Sequence, residues 1–346
     1  MKTISKAQWQ SLEDLSAEGL LGGLPLQTAE KDIHITDLLK RLSTLDVRHD
    51  QFKGMVRGET SKVDDGIGLI FAGGTCLSKA HGLIHRMSED VDIKVVLGTP
   101  TKNVLKAGVS YRARLKALHV AIAGVVSDMG LQSPSSMGGR DNPVIRDSHR
   151  YFVLGSQYES KAPLLMSLRP EIKLEVIHRE PHLTPHPLTF GYLHERLASL
   201  PSTSPVSIPC IQVAETLAEK VLALLRRCAW KWGGHQKDEM DATLVRHIYD
   251  VHCIMRDQPQ ELLLAKNIFA ALVAGDAHEF GGRDPDFEVY PKKTLMRTLE
   301  TARSSDELQR GYAERLLPLI YEGGTVSFAE AFAGFEAAAN ELIAQL

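Results

Sequence analysis

Apolar and polar positions along the chain change rhythm several times, and each rhythm predicts an element. In the first 65 residues the clearest period is helical, with Ile35, Leu38, Leu39, Leu42 and Leu45 on one stripe. It predicts an amphipathic helix packed on something larger. Phe52–Asp65 is charged and without a period, and reads as a connection. Ile67–Ala72 and Val91–Leu97 are short apolar runs that read as buried strands. Between them Gly73-Gly74 marks a turn, and Thr75 opens a helix expected to run to about Arg86. Val109–Gly130 returns to a helical period through Leu115, Leu118, Ile122 and Val125. Tyr151–Gln157 and Leu164–Leu168 suit strands, and Glu171–Ile177 alternates Ile172, Leu174 and Val176 with Lys173 and Glu175, as a half-buried strand does.

From Ala214 the pattern is firmly helical. Ala214, Leu217, Ala218, Val221, Leu222, Leu225 and Cys228 form one buried stripe. Asp241–Arg256 follows with Leu244, Ile248, Val251 and Met255 inside. Ser327 and Glu330 have the form of a capping box ahead of Phe328, Phe332, Phe335, Ala339, Leu342 and Leu346. Residues 131–150 are rich in Gly, Pro and Ser and read as an irregular connection. Residues 180–209 hold six prolines and His182, His186 and His194, and read as a surface crossover whose histidines match no zinc spacing. These breaks divide the chain into an N-terminal helical segment (1–65), a core of mixed strands and helices (66–205) and a helical C-terminal domain (206–346). The fold class is α/β in the broad sense (α+β), a mixed β-sheet core flanked by helices.

Composition narrows the class without naming a function. At 43% hydrophobic and 24% charged residues, the 346-residue chain is that of an ordinary globular protein, long enough for two or three packed units. No apolar run approaches a membrane span, and the N-terminus lacks the apolar core of a signal peptide. Four cysteines without a Cys-x-x-Cys pair indicate neither zinc nor a disulfide framework, so a reduced cytoplasmic protein is expected. A net charge of −3 leaves room for a nucleic-acid partner only through a local basic surface.

The chemistry concentrates between Ile67 and Leu97. A glycine turn after a strand exposes backbone suited to phosphate. Asp90 and Asp92 lie two apart at the start of the next strand, on one face with Ser88 if the strand extends that far, and carboxylates there suit Mg²⁺. The turn is not a Walker A loop, because no glycine precedes Lys79 in the required place. Nor does Gly73-Gly74-Thr75 supply the Rossmann glycine spacing. What remains, Gly-Gly-Thr followed after fourteen residues by Asp-x-Asp, resembles the DNA-polymerase-β-like nucleotidyltransferases. The fuller strings, Gly73-Gly74-Thr75-Cys76-Leu77-Ser78-Lys79 and Arg86-Met87-Ser88-Glu89-Asp90-Val91-Asp92, resemble the AbiEii/AbiGii toxin family of nucleotidyltransferases.

That resemblance implies a nucleotidyltransferase-type sheet with a helical C-terminal domain, and an enzyme using a nucleoside triphosphate with Mg²⁺ or Mn²⁺. It implies nucleotide contacts from Gly73, Gly74, Thr75, Lys79, Arg86 and Ser88, and metal ligation by Asp90, Asp92 and, as third carboxylate, Glu175. Glu215-Thr-Leu-Ala-Glu-Lys220 resembles the family's Glu-x-x-Ala-Glu-Lys helix, which would bring Lys220 to the triphosphate. Arg246-His-Ile-Tyr-Asp250 resembles its Arg-x-x-x-Asp, which would make Asp250 catalytic; read from spacing alone, Arg246 and Asp250 are an ordinary i,i+4 pair. The implied biology is the toxin of a type IV toxin–antitoxin or phage-defence (abortive infection) system, modifying an RNA such as a tRNA 3′ end and countered by a cognate antitoxin. Two other classes fit the same residues: a kinase or nucleotidylyltransferase acting on protein, with Ser88 as an internal acceptor, and a non-catalytic nucleotide-binding protein. Arg226–Glu239, where basic residues alternate with Trp230 and Trp232, reads equally as an RNA contact or a basic helix end. His81 and His85, four apart, lack a third ligand and read as structural or nucleotide-adjacent.

Overall fold

The computed structural model describes residues 1–49, 62–99, 110–163, 168–235, 241, 243–321 and 324–346. The chain divides into two compact units. Unit 1 comprises residues 1–80, 88–181 and 185–211, and unit 2 comprises 81–87, 182–184 and 212–346.

The sheet of unit 1 has seven strands among the described residues: β1 (Ile67–Ala72), β2 (Asp90–Leu97), β3 (Val144–Arg146), β4 (Tyr151–Gln157), β5 (Glu171–His178), β6 (His186–Phe190) and β7 (Val206–Cys210). Their order is β6-β7-β1-β2-β5-β4-β3. β1 and β2 pair antiparallel and β2 and β5 parallel, so the three middle strands are those that carry the candidate chemistry. Their core-facing residues are apolar and buried, among them Ile70, Phe71, Val91, Ile93 and Val95, while Asp90 and Asp92 lie half-buried on the other face of β2. The helices of unit 1 are α1 (Lys6–Ala17), α2 (Leu26–Ser43), α3 (Gly73–Lys79), α4 (Tyr111–Asp128) and α5 (Leu193–Leu197). On α4, Leu115, Leu118 and Ile122 are buried, and its His119 stacks on Phe152 of β4 at 4.1 Å between centroids.

Three expectations are corrected here. α2 is no half-exposed amphipathic helix, since Glu30, Lys31, Asp32, His34 and Thr36 are buried together with its leucines and isoleucines. Much of its polar surface is partnered at long range: Glu30 accepts from Ser160 Oγ at 2.6 Å and from the Lys161 N–H at 2.8 Å. Such partners remove the cost of burying charge. Residues 186–210 supply β6, α5 and β7 rather than a surface crossover, and Pro187 is tolerated because β6 is an edge strand, where proline's missing N–H is least costly. The helix opened by the glycine turn stops at Lys79, not Arg86: the Arg196 guanidinium donates to the carbonyls of Ser78 (2.9 Å) and Lys79 (3.3 Å), and Gly82 turns left-handed at φ +67°. Of the expected strand at Leu164–Leu168, residues 164–167 lie outside the described residues.

Unit 2 is built from helices. They are α6 (Val213–Trp232), α7 (Arg246–Asp257), α8 (Glu261–Phe280), α9 (Pro285–Val289), α10 (Pro291–Arg303), α11 (Asp306–Gly311) and α12 (Phe328–Ile343). The expected stripe from Ala214 to Cys228 is buried throughout. α6 packs on α8 and α10, and α12 on α7. α7 starts at Arg246, five residues later than its sequence period suggests. Ser327 caps α12 by accepting the Glu330 N–H at 3.2 Å. No described helix is long and apolar enough to cross a membrane.

Candidate active site

In unit 1 the turn between β1 and α3 meets the second aspartate directly. Ala72 is opposite Asp92 in the antiparallel register, and Gly73 follows at φ +74°. A Cβ on Gly73 would stand 2.7 Å from Asp92 Cγ and 3.0 Å from Asp92 Cβ. Glycine is required twice over, for the left-handed backbone and for the close approach of the acid. Gly74 and Thr75 continue the turn into α3, and the Thr75 hydroxyl donates to the carbonyl of Asp90. That bond ties the helix start to the first residue of β2. Ser88 is half-buried just ahead of β2, which begins at Asp90, so the strand does not extend back to it.

The neighbouring strand completes a charged face. In the parallel register Asp90 is opposite Lys173 and Asp92 opposite Glu175, so these four side chains share one face of the sheet. Lys173 Nζ lies 3.3 Å from Glu175 Oε2 and 3.6 Å from Asp90 Oδ2. Burial lowers the lysine's pKa, but the charges of Asp90, Glu175 and Asp92 outweigh it and hold the ammonium above its ordinary range. Tyr151 of β4 donates to Glu175 Oε2 at 3.4 Å, and burial followed by the Glu175 charge raises its phenol. Lys173 is not among the candidate residues read from sequence. The alternation of Glu171–Ile177 already placed it on the face of Glu175.

Carboxylate oxygens are the right donors for a hard divalent cation. Among the described residues, however, no three His, Cys, Asp or Glu side chains stand close enough together to hold a metal ion. The physical reason is visible: Asp90 and Glu175 are drawn to Lys173, while Asp92 lies against Gly73. The donor types and their register suit the ion; their present side-chain arrangement serves the lysine. His182, His186 and His194 fall on a connection, the start of β6 and α5 respectively and form no cluster.

Lys79 is placed away from this face. Its side chain is 3% exposed, ion-paired with Asp32 of α2 and within 3.3 Å of the Gly191 carbonyl. Burial lowers its pKa against the opposing Asp32 charge. This structural pair accounts for the charge of Lys79 without a nucleotide.

Unit 2 gathers a second constellation. Asp250 on α7 is fully buried and accepts from Arg86 Nε at 2.7 Å on Oδ1 and from Arg86 Nη2 at 2.6 Å on Oδ2. Lys220 Nζ on α6 meets Oδ2 at 2.8 Å. Burial raises the Asp250 pKa, but the two cations prevail and hold it far below the ordinary carboxylate range. The segment carrying Arg86 is fixed by its backbone: Met87 N–H donates to Leu319 O at 2.9 Å and Tyr321 N–H to His85 O at 3.0 Å. His85 also meets the Tyr321 ring edge-on. Thus Arg86, Lys220 and Asp250, chosen separately from sequence, share one network, and the Asp250 carboxylate serves Arg86 and Lys220. Glu215 of the same helix accepts the N–H groups of His182 (3.0 Å) and Leu183 (2.9 Å), a structural duty.

At the end of α6, Arg226 pairs with Asp276 at 2.9 Å and lies 3.9 Å above the Phe280 ring, and Arg227 pairs with Asp241 at 3.0 Å. Trp230 and Trp232 are half-buried. Residues 236–239 of that stretch lie outside the described residues.

Comparison with known families decides to which family the chain belongs. The model of the family described as the nucleotidyl transferase AbiEii toxin of type IV toxin–antitoxin systems matches residues 55–339. This chain belongs to the AbiEii family. The match runs through β1, α3 and β2 and on through α6 and α7, so it includes every candidate residue named above. As an AbiEii protein the chain is a nucleotidyltransferase and a toxin of a type IV toxin–antitoxin system. Among solved structures, MenT4, a nucleotidyltransferase toxin from Mycobacterium tuberculosis H37Rv, is 18% identical, with a TM-score of 0.53 over 95% of this chain and 88% of its own. It shows the same fold. JHP933 from Helicobacter pylori is 12% identical, with a TM-score of 0.39 over 99% of this chain and 95% of its own, too loose a superposition to bear on the argument. A comparison with curated proteins finds no match.

Proposed function

We propose that this AbiEii toxin transfers a nucleoside monophosphate from a nucleoside triphosphate to a hydroxyl of an RNA acceptor, such as a tRNA 3′ end. The acceptor oxygen bonds to the α-phosphorus, the bond to the β-phosphate oxygen breaks, pyrophosphate leaves, and the acceptor proton passes to a carboxylate or water beside it. The observation that carries the reading is the contact of the Gly73 backbone with Asp92. Gly73 and Gly74 bring no side chain of their own to the turn, and the acid that a nucleotide's cation requires stands against it.

Gly73, Gly74 and the backbone of Thr75 are assigned to the triphosphate, with Ser88 beside them. Asp90 and Asp92, with Glu175 as third carboxylate, are assigned to Mg²⁺ or Mn²⁺. Such an ion, when bound, lowers the pKa of an attacking hydroxyl and stabilises departing pyrophosphate. Arg86 and Lys220 are left out of the triphosphate contacts, because their charges are buried on Asp250. Asp250, held ionised between them, positions both rather than accepting a proton. Lys79 is left out, because its ammonium is buried on Asp32. A cognate antitoxin is the proposed counterpart in the cell.

Incubation with α- and γ-labelled triphosphates and total RNA, across all four nucleotides, tests the reading. Divalent-ion-dependent α-label on RNA is expected. α- or γ-label on the protein itself, lost in a Ser88→Ala variant, would replace RNA by a protein acceptor. No turnover with any nucleotide would leave only nucleotide binding.

A further inference from the structure

The lysine between the acids is the least explained charge in unit 1. Lys173 is opposite Asp90 in register, reaches both Asp90 and Glu175, and is 46% exposed on its side chain, so its stem has solvent into which to swing. Three carboxylates on one face of adjacent strands repel one another at neutral pH, and an ammonium among them relieves that repulsion. It also holds the oxygens that a cation would need.

We propose that Lys173 is a built-in competitor for the divalent cation: its ammonium neutralises the acid face while no ion is bound, and it must leave Asp90 and Glu175 for the ion to bind there. The inference rests on the assignment of Asp90, Asp92 and Glu175 to a metal. Lys173 thereby sets the ion's affinity too low for the metal alone to dwell in the site. A triphosphate, arriving with its own cation, supplies the negative charge that the displaced ammonium can meet.

The test is Mn²⁺ binding without nucleotide, followed by electron paramagnetic resonance and by thermal melting with and without the ion. The protein is compared with Lys173→Met, Lys173→Arg and the double variant Lys173→Met with Asp90→Asn. Lys173→Met is expected to bind Mn²⁺ roughly tenfold more tightly, since one positive charge about 4 Å from the ion's ligands is removed at partial exposure. Its melting point falls in the absence of the ion and rises further than the parent's when Mn²⁺ is added. Lys173→Arg keeps the parent's weak binding, and Asp90→Asn abolishes the gain. If the parent binds Mn²⁺ and Lys173→Met binds it no more tightly, the competitor inference is overturned while the metal assignment stands. If neither binds Mn²⁺ above an Asp90→Asn, Asp92→Asn control, the metal assignment fails and the inference with it. Weakened triphosphate binding in Lys173→Met with unchanged Mn²⁺ affinity would make the lysine a phosphate ligand instead.

Discussion

Two groups of acids and cations are built on opposite principles. On the sheet face of unit 1, Asp90 and Glu175 share one lysine at 3.3–3.6 Å, and the participants are 22–46% exposed. In unit 2, Asp250 is fully buried and takes two cations at 2.6–2.8 Å. The first group can rearrange, because water can replace any partner that leaves. The second cannot, because a buried charge that loses its partner has nothing to replace it. On the proposed reading, the group that would exchange partners during transfer is the half-open one, and the group that holds its own members in place is the sealed one.

The same substitution therefore has opposite consequences in the two places. Asp90→Asn or Asp92→Asn is expected to lower nucleotidyl transfer by about a thousandfold or more, as loss of a metal-binding carboxylate does. Stability should change by no more than ~0.5 kcal/mol, since the carboxylates are partly solvated. Initial rates of label transfer and thermal melting check both halves, and an Asp92→Asn variant with undiminished turnover would dismiss the assignment.

Asp250→Asn reverses the pattern. It leaves Arg86 and Lys220 as buried cations without their anion and is expected to cost about 3–5 kcal/mol of stability. The cost depends on pH with a definite sign. Asp250 has a folded pKa below its unfolded value, so its contribution is fully present above the ordinary carboxylate pKa of about 4 and is lost as pH falls toward the folded value. Denaturant melts of parent and variant should lie far apart at neutral pH and converge on acidification. A gap that stays constant down to pH 2 would refute the pairing as its cause.

Gly73→Ala probes the junction between turn and acid. The left-handed backbone costs an L-residue roughly 1–2 kcal/mol, and the new Cβ must displace the Asp92 carboxyl. Stability should fall by about that amount or somewhat more. Turnover should fall further than the lost stability explains, measured at a temperature where the variant remains folded.

The sequence made much of this site legible, and for physical reasons. β1 and β2 announce themselves because the residues they turn to the core, such as Ile70, Phe71, Val91, Ile93 and Val95, must be apolar. The stripe of α6 follows from a helix buried on one side. Gly73 and the acids were visible because their chemistry tolerates few alternatives. Less visible was whatever depends on long-range pairing. Glu30 and Lys31 look like solvent-facing residues until their partners at 160–162 and 169 are known. Lys79 follows a phosphate-like turn, yet Asp32 takes it inward. The prolines of 180–209 disguised β6, whose edge position accommodates Pro187. Arg86, Lys220 and Asp250 were each chosen from sequence, but nothing in their spacing joins them.

Tyr151→Phe is the mildest change that still separates the two regions. The phenol donates to Glu175 at 3.4 Å, a long bond worth less than the ~1 kcal/mol of an ordinary one, so stability should barely move. Glu175 would nonetheless lose the donor that helps keep Oε2 facing Lys173, leaving it freer to turn toward an ion. If the acid face is a rearrangeable site, Tyr151→Phe should shift the Mn²⁺ concentration dependence of label transfer by a few-fold while leaving the melting point in place. A phenylalanine there that lowers stability by several kcal/mol, as expected for the sealed Asp250 network, would mean that both charge groups are equally fixed and that the distinction between them is wrong.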